Sequence, residues 1–268
     1  MNLTTASINK IVKSLLGRIA FNTRLHVLTL REVVPVLAFH RISKDPSDGD
    51  SLTYGLEDFE NLCAFLSRYF HVVPLGHILK KLEDGASFDR ELAITFDDGY
   101  RDNHDLAAPV LKERNLPATF FVTTRYIGTE HVPWWYAKQR VHREWMNWEQ
   151  VESLHRMGFE IGSHTMTHID LGSASEEDAL RELVNSRTEL EQRLSSPVTL
   201  FAYPYGWEDK ITEQNRELVK LAGYSCCCSC FGGLNAKGTD PFHLRRIPIS
   251  NWYRSPHDFG FQLAMHRV

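Results

Sequence analysis

Leu92-Ala-Ile-Thr-Phe-Asp-Asp-Gly99 is an apolar run that ends abruptly in two adjacent carboxylates and a glycine. Such a run, bounded by a turn signal, has the length and composition of a buried strand whose chemistry begins where the strand stops. The same pattern recurs outward from it. Short β-branched or aromatic runs occupy 33–39, 72–75, 118–122, 159–162, 198–202, 224–228 and 244–249, and segments of helical period lie between several of them. Phe59, Leu62, Cys63 and Leu66 mark one amphipathic helix, and Leu180, Leu183, Leu190 and Leu194 mark another that Ser175 and Asp178 can cap. Alternating strands and helices predict repeated βα units around a parallel sheet.

The chain has 268 residues, 43% hydrophobic and 24% charged, enough to build one large globular domain. No internal repeat or low-complexity linker divides it, so a single domain over 32–268 is expected behind a separate amino-terminal helix over 1–31. A formal net charge of -4 offers no general attraction for nucleic acid, which is excluded as a partner. Four of the five cysteines crowd together as Cys226, Cys227, Cys228 and Cys230, which cannot staple distant parts of a fold. They read as a buried strand using cysteine as a small hydrophobe, and free thiols suit a reducing, cytoplasmic setting.

No acidic residue precedes Glu32, whereas Lys10, Lys13, Arg18, Arg24 and Arg31 all fall in that stretch. Ile8, Ile11, Val12, Leu15, Leu16 and Ile19 follow helical spacing and form one stripe. Lys13 and Arg18 interrupt the apolar run, so neither a transmembrane span nor a secretory signal is predicted. The stripe is expected to pack on the helix's own domain. The charge bias gives the alternative, a peripheral membrane contact through residues 8–24 at the inner face of the membrane.

Three polar clusters each directly follow a predicted strand: Thr95-Phe-Asp-Asp-Gly99, Ser163-His-Thr-Met-Thr-His168 and Tyr203-Pro-Tyr-Gly206. Residues just past the carboxyl ends of parallel strands converge on one face, where active sites assemble. The histidine spacing alone is weak, since 13 histidines in this length give about 0.6 such pairs by chance. Adjacent Asp97 and Asp98 are costly at a buried strand end unless a cation compensates. Two imidazoles and a carboxylate form a common three-ligand set for catalytic zinc, and the second aspartate is then available as a base. Between residues 123 and 147, Trp134, Trp135, Tyr136 and Trp145 occupy a long connection whose aromatics could stack on sugar rings or pin the loop to the barrel.

Thr95-Phe-Asp-Asp-Gly99 followed by His164-Thr-Met-Thr-His168 resembles the polysaccharide deacetylases with the NodB-type domain, carbohydrate esterase family four. The first motif arises by chance in roughly one in ten thousand chains of this length. The resemblance runs from about Val33 to the carboxyl terminus and includes Pro35-Val-Leu-Ala-Phe-His-Arg-Ile42. It implies an α/β fold, a distorted (β/α) barrel of about seven parallel strands in a single domain. It also implies one divalent ion, zinc by preference with cobalt, nickel or manganese as alternatives, held by Asp98, His164 and His168. Asp97 would be the general base, and the backbone N–H of Tyr205 would bind the oxyanion.

The sequence departs from the family pattern twice. Ala202 stands where the family's third motif has the arginine that holds the base, and Arg246, or less favourably Arg245, is the candidate replacement. The family's late histidine, which protonates the leaving amine, has no clear match, and His40 is preferred to His243 for that role. The expected activity is metal-dependent hydrolytic N-deacetylation of an N-acetylated polysaccharide, oligosaccharide or lipid-linked saccharide, a hydrolysis of a linear amide that releases acetate. The competing readings are a catalytically silent carbohydrate-binding protein and a hydrolase of a non-sugar amide on the same fold.

Overall fold

The computed structural model describes residues 5–45, 50–133, 143–253 and 255–265. Strand β1 (Val36–Phe39) lies between β2 (Glu91–Phe96) and the late β5 (Ile247–Pro248), and β2 continues through β3 (Thr119–Val122) to β4 (Glu160–Ser163). From β4 the ring is carried on by single parallel bridges, Ser163 to Phe201, Ala202 to Cys228 and Cys228 to Leu244. The stretch from Leu244 to β5 then returns to β1, where Ile247 pairs with Leu37. Seven staves, all paired in parallel, therefore close a distorted barrel, as the resemblance implies.

Closure is regular on the β1–β4 side and reduced to isolated bridges on the other. The run 33–39 is not one strand, because Pro35 has no N–H to give a ladder. Val33–Val34 instead pairs antiparallel with Asn235–Ala236.

Strand period sorts the core into two layers. All six residues of β2 are buried, with Leu92, Ile94 and Phe96 on the face that packs against the helices. Phe96 stacks between Phe39 and Phe120 at centroid distances of 5.3 and 4.9 Å. Ala93 faces the other way and packs with Val36, Phe121, Ala202, Cys226, Cys228 and Leu244 inside the ring. Cys226 and Cys228 thus act as the small apolar fillers read from the sequence. The same period turns Thr95 and Asp97 inward, toward the carboxyl-end rim.

Helices α2 (Leu56–Tyr69), α3 (Leu75–Glu83), α4 (Trp148–Arg156) and α5 (Glu176–Leu194) surround the barrel. Phe59, Leu62, Cys63 and Leu66 are the buried stripe of α2, and Ser175 caps α5 by accepting from the Asp178 N–H. The amino-terminal helix, here αN (Thr5–Asn22), docks on αC (Pro256–Ala264). Its stripe does not follow the expectation of core packing: Ile11, Val12, Leu15, Leu16 and Ile19 are exposed. The helix docks by the opposite face because Gly17 permits backbone contact there; a Cβ at Gly17 would lie 1.9 Å from the carbonyl oxygen of His257. Phe21, on that same side, is buried and stacks on His26.

Candidate active site

Asp97 and Asp98 leave the end of β2 in opposite directions. Asp98 has φ 74°, a left-handed value that a non-glycine residue adopts at a cost, and this turn separates the two carboxylates. Asp97 is gripped by both terminal nitrogens of the Arg246 guanidinium, Nη1 to Oδ1 at 2.7 Å and Nη2 to Oδ2 at 2.6 Å. Arg246 comes from just before β5 and is completely buried. It also donates to Thr95 Oγ1 at 3.0 Å and to the Ser229 carbonyl at 2.5 Å. Burial works to raise the Asp97 carboxyl. The guanidinium, with help from His164 and His40, outweighs burial and holds it below the usual carboxylate range.

Asp98 Oδ1 faces His164 Nε2 at 3.3 Å and His168 Nε2 at 3.2 Å, and all three side chains are buried. His164 Nδ1 lies 2.8 Å from the Ala202 carbonyl oxygen, which can only accept, so Nδ1 carries a proton and Nε2 is the ring nitrogen that offers a lone pair when the imidazole is neutral. Among the described residues Asp98 Oδ1 has no hydrogen-bond donor. A lone pair aimed at an unpartnered carboxylate oxygen in a buried site calls for a cation between them. The three donor atoms lie within 4.8 Å of one another, which suits a single divalent ion. Burial would raise Asp98, yet the adjacent His164 and His168 rings hold it well below its usual range; burial pushes His168 down, toward the neutral form a ligand needs.

These groups form the floor of a cavity of about 580 Å³. His40 lies on one wall, its Nε2 4.0 Å from Asp97 Oδ2. Tyr205 lies on another, its ring 4.9 Å from that of His168, and its backbone is left-handed at φ 63°. Two exposed indoles, Trp207 and Trp252, stand on the rim.

The sequence profile of the polysaccharide deacetylases matches residues 84–227, more than half of the chain. The chain belongs to the polysaccharide deacetylase family. Among relatives, YxkH of Bacillus subtilis (strain 168) is 26% identical over 219 residues, covering 81% of this chain and 71% of that protein. The poly-beta-1,6-N-acetyl-D-glucosamine N-deacetylase of Staphylococcus epidermidis is 26% identical over 243 residues, covering 80% and 78%. The fold matches that of the Streptococcus pyogenes deacetylase PplD, solved in complex with acetate, with a TM-score of 0.73 at 19% identity, over 88% of this chain and 98% of that one.

The matched span of this polysaccharide deacetylase contains the carboxylate pair, both histidines and Tyr205, whereas His40 and Arg246 lie outside it. All seven residues singled out from the sequence nevertheless gather at one end of the barrel. The weaker candidates do not: Arg245 is exposed and packs on Gly233, and His243 is outside the cavity wall.

Sequence reasoning missed four residues. Trp207 and Trp252 each follow a strand end by a few positions, which was the available signal. Cys230, two residues past the last barrel cysteine, brings its thiol within 4.8 Å of His40 and Asp97, and burial pushes that thiol up to about 11. Glu182 reaches from α5 to accept from the N–H groups of Met166 and Thr167 and from the Thr167 hydroxyl, at 2.7–2.9 Å, pinning the loop between the histidines. The aromatics Trp134, Trp135 and Tyr136 lie outside the described residues. Trp145 does not face a ligand; it is buried against Tyr100 and Tyr126 and pins the loop.

Proposed function

We propose that this family member hydrolyses the N-acetyl group of a carbohydrate, with one divalent ion held by Asp98, His164 and His168 and with Asp97 as the general base. The observation that carries the reading is the division of labour between adjacent carboxylates: Asp97 is fixed by a bidentate arginine, and Asp98 faces two imidazoles. A divalent ion, zinc by the nature of the N and O donors, supplies Lewis acidity to a water and to the acetyl carbonyl.

Asp97, kept ionised by Arg246, takes the proton of the attacking water. The Tyr205 N–H is the oxyanion donor, in a loop whose left-handed turn sets its direction. His40, in the cavity lining and 4.0 Å from Asp97, hands a proton to the departing sugar amine. Acetate and a free amine result. The rim indoles offer apolar faces on which pyranose rings stack. The Staphylococcus epidermidis relative, named for poly-beta-1,6-N-acetyl-D-glucosamine, supports an N-acetylhexosamine as the sugar.

Two departures favour the silent-binding reading, the missing arginine at position 202 and the unmatched late histidine, and the grip of Arg246 on Asp97 answers the first of them. The test is acetate release from N-acetylated mono- and oligosaccharides beside ring opening of cyclic amides. Release of acetate from N-acetylhexosamine oligomers is expected; turnover confined to the cyclic amides would replace the sugar substrate with a non-sugar one.

A further inference from the structure

We infer that αN seats this protein on an anionic bilayer, with its exposed aliphatic face in the lipid and the cavity mouth beside the headgroups. Ile11, Val12, Leu15, Leu16 and Ile19 are 57, 48, 58, 43 and 48% exposed. At 3.6 residues per turn they cover an arc of about 140°, while Gly17 and Phe21 fall on the far side against the domain. The apolar surface continues past the helix at Leu25 and Leu28, both exposed. An aliphatic patch of this size in water calls for an occupant.

Charge chooses that occupant. Lys13 and Arg18 stand at the two borders of the apolar arc, where long stems can lie along the aliphatic surface while the charged ends reach outward. Arg24 adds to them, and no carboxylate occurs before Glu32, in a chain of net charge -4. A second copy docked on the same face would bring like charges together with no acidic partner on the helix. Phospholipid headgroups supply the missing negative charge, and acyl chains cover the aliphatic arc.

The helix is also tied to the catalytic mouth. Ser14 Oγ is 3.0 Å from Ser255 Oγ at the start of αC. Ser255 follows the rim residue Trp252 by three positions, at most about 11 Å of extended chain. A bilayer under αN therefore lies close to the cavity entrance, where a saccharide carried on a lipid would present itself.

The test is co-sedimentation of the full chain with phosphatidylcholine vesicles, with and without phosphatidylglycerol, beside the double variant Leu15→Glu/Ile19→Glu. Both side chains point to solvent, so the variant should melt with the wild type and release acetate from soluble oligosaccharides at the wild-type rate. Wild-type binding at least about tenfold tighter to the anionic vesicles, reduced at least about tenfold in the variant, is the expected result. No wild-type binding, equal binding by the variant, or a wild-type dimer in solution that the variant dissolves would overturn the inference. Vesicle binding is read without turnover, so its failure would leave the deacetylase reading intact.

Discussion

In the proposed reaction Asp97 and Arg246 are the pair on which the chemistry depends. Replacing Asp97 by Asn keeps the shape and leaves Asp98, His164 and His168 untouched. Metal affinity by calorimetry should stay near wild type, while kcat falls by about 10²–10⁴-fold, the range for losing a general base. Arg246→Met is harsher: it strands a buried carboxylate at 1% exposure, a loss of about 3–5 kcal/mol in chemical denaturation. Because the Asp97 carboxyl is depressed in the folded protein, its contribution to stability is present above the unfolded value of about 3.9 and is lost as pH falls through the folded value. Removing the guanidinium leaves burial as the main influence, so the acidic limb of the rate profile should move to higher pH in Arg246→Met. At this scale the sequence was informative where chemistry is contiguous. Asp97, Asp98, His164 and His168 stand in short motifs, whereas Arg246 could be read only from its place before the last strand. Cys230 and Glu182 carry no motif, because their roles depend on where a loop and a helix face happen to meet the floor of the cavity.

Elements set the geometry through turns that the strands impose. Asp98, Thr165, His168 and Tyr205 all have left-handed backbones, between φ 58° and 74°, and they cluster on the loops of the carboxyl-end rim. Glu182 holds one such loop with three hydrogen bonds, so Glu182→Ala should leave the N–H groups of Met166 and Thr167 without their acceptor and loosen His168. Metal affinity is expected to fall by about 10–100-fold with α5 retained by circular dichroism; unchanged affinity would mean that the loop is held by other contacts. Strand existence was legible from apolar runs, but pairing was not. The runs 198–202 and 224–228 look as strong in sequence as β2, yet each joins the ring by bridges at one or two residues. The αN stripe misled in the same way. Helical spacing identifies an apolar face without saying which face Gly17 will allow against αC, and the small residue decided it.

At the scale of the whole molecule, closing seven parallel staves brings residues 40, 97, 98, 164, 168, 205 and 246 to one rim although they are far apart in the chain. Parallel strands all point their carboxyl ends the same way, which is why order along the sequence was enough to foresee this convergence. The shape of the mouth was not foreseeable, since it is built by loops whose course depends on what they pack against. Among the described residues no helix is long and apolar enough to cross a membrane. In the proposed reaction a buried aspartate and two histidines hold a divalent ion beside a clamped base to cleave an acetamide. Acetate release from an N-acetylhexosamine oligomer should stop when the protein is stripped of metal, return when zinc is restored, and stay absent in Asp98→Ala under both conditions. Acetate release that persists in the stripped protein or in Asp98→Ala would contradict the account.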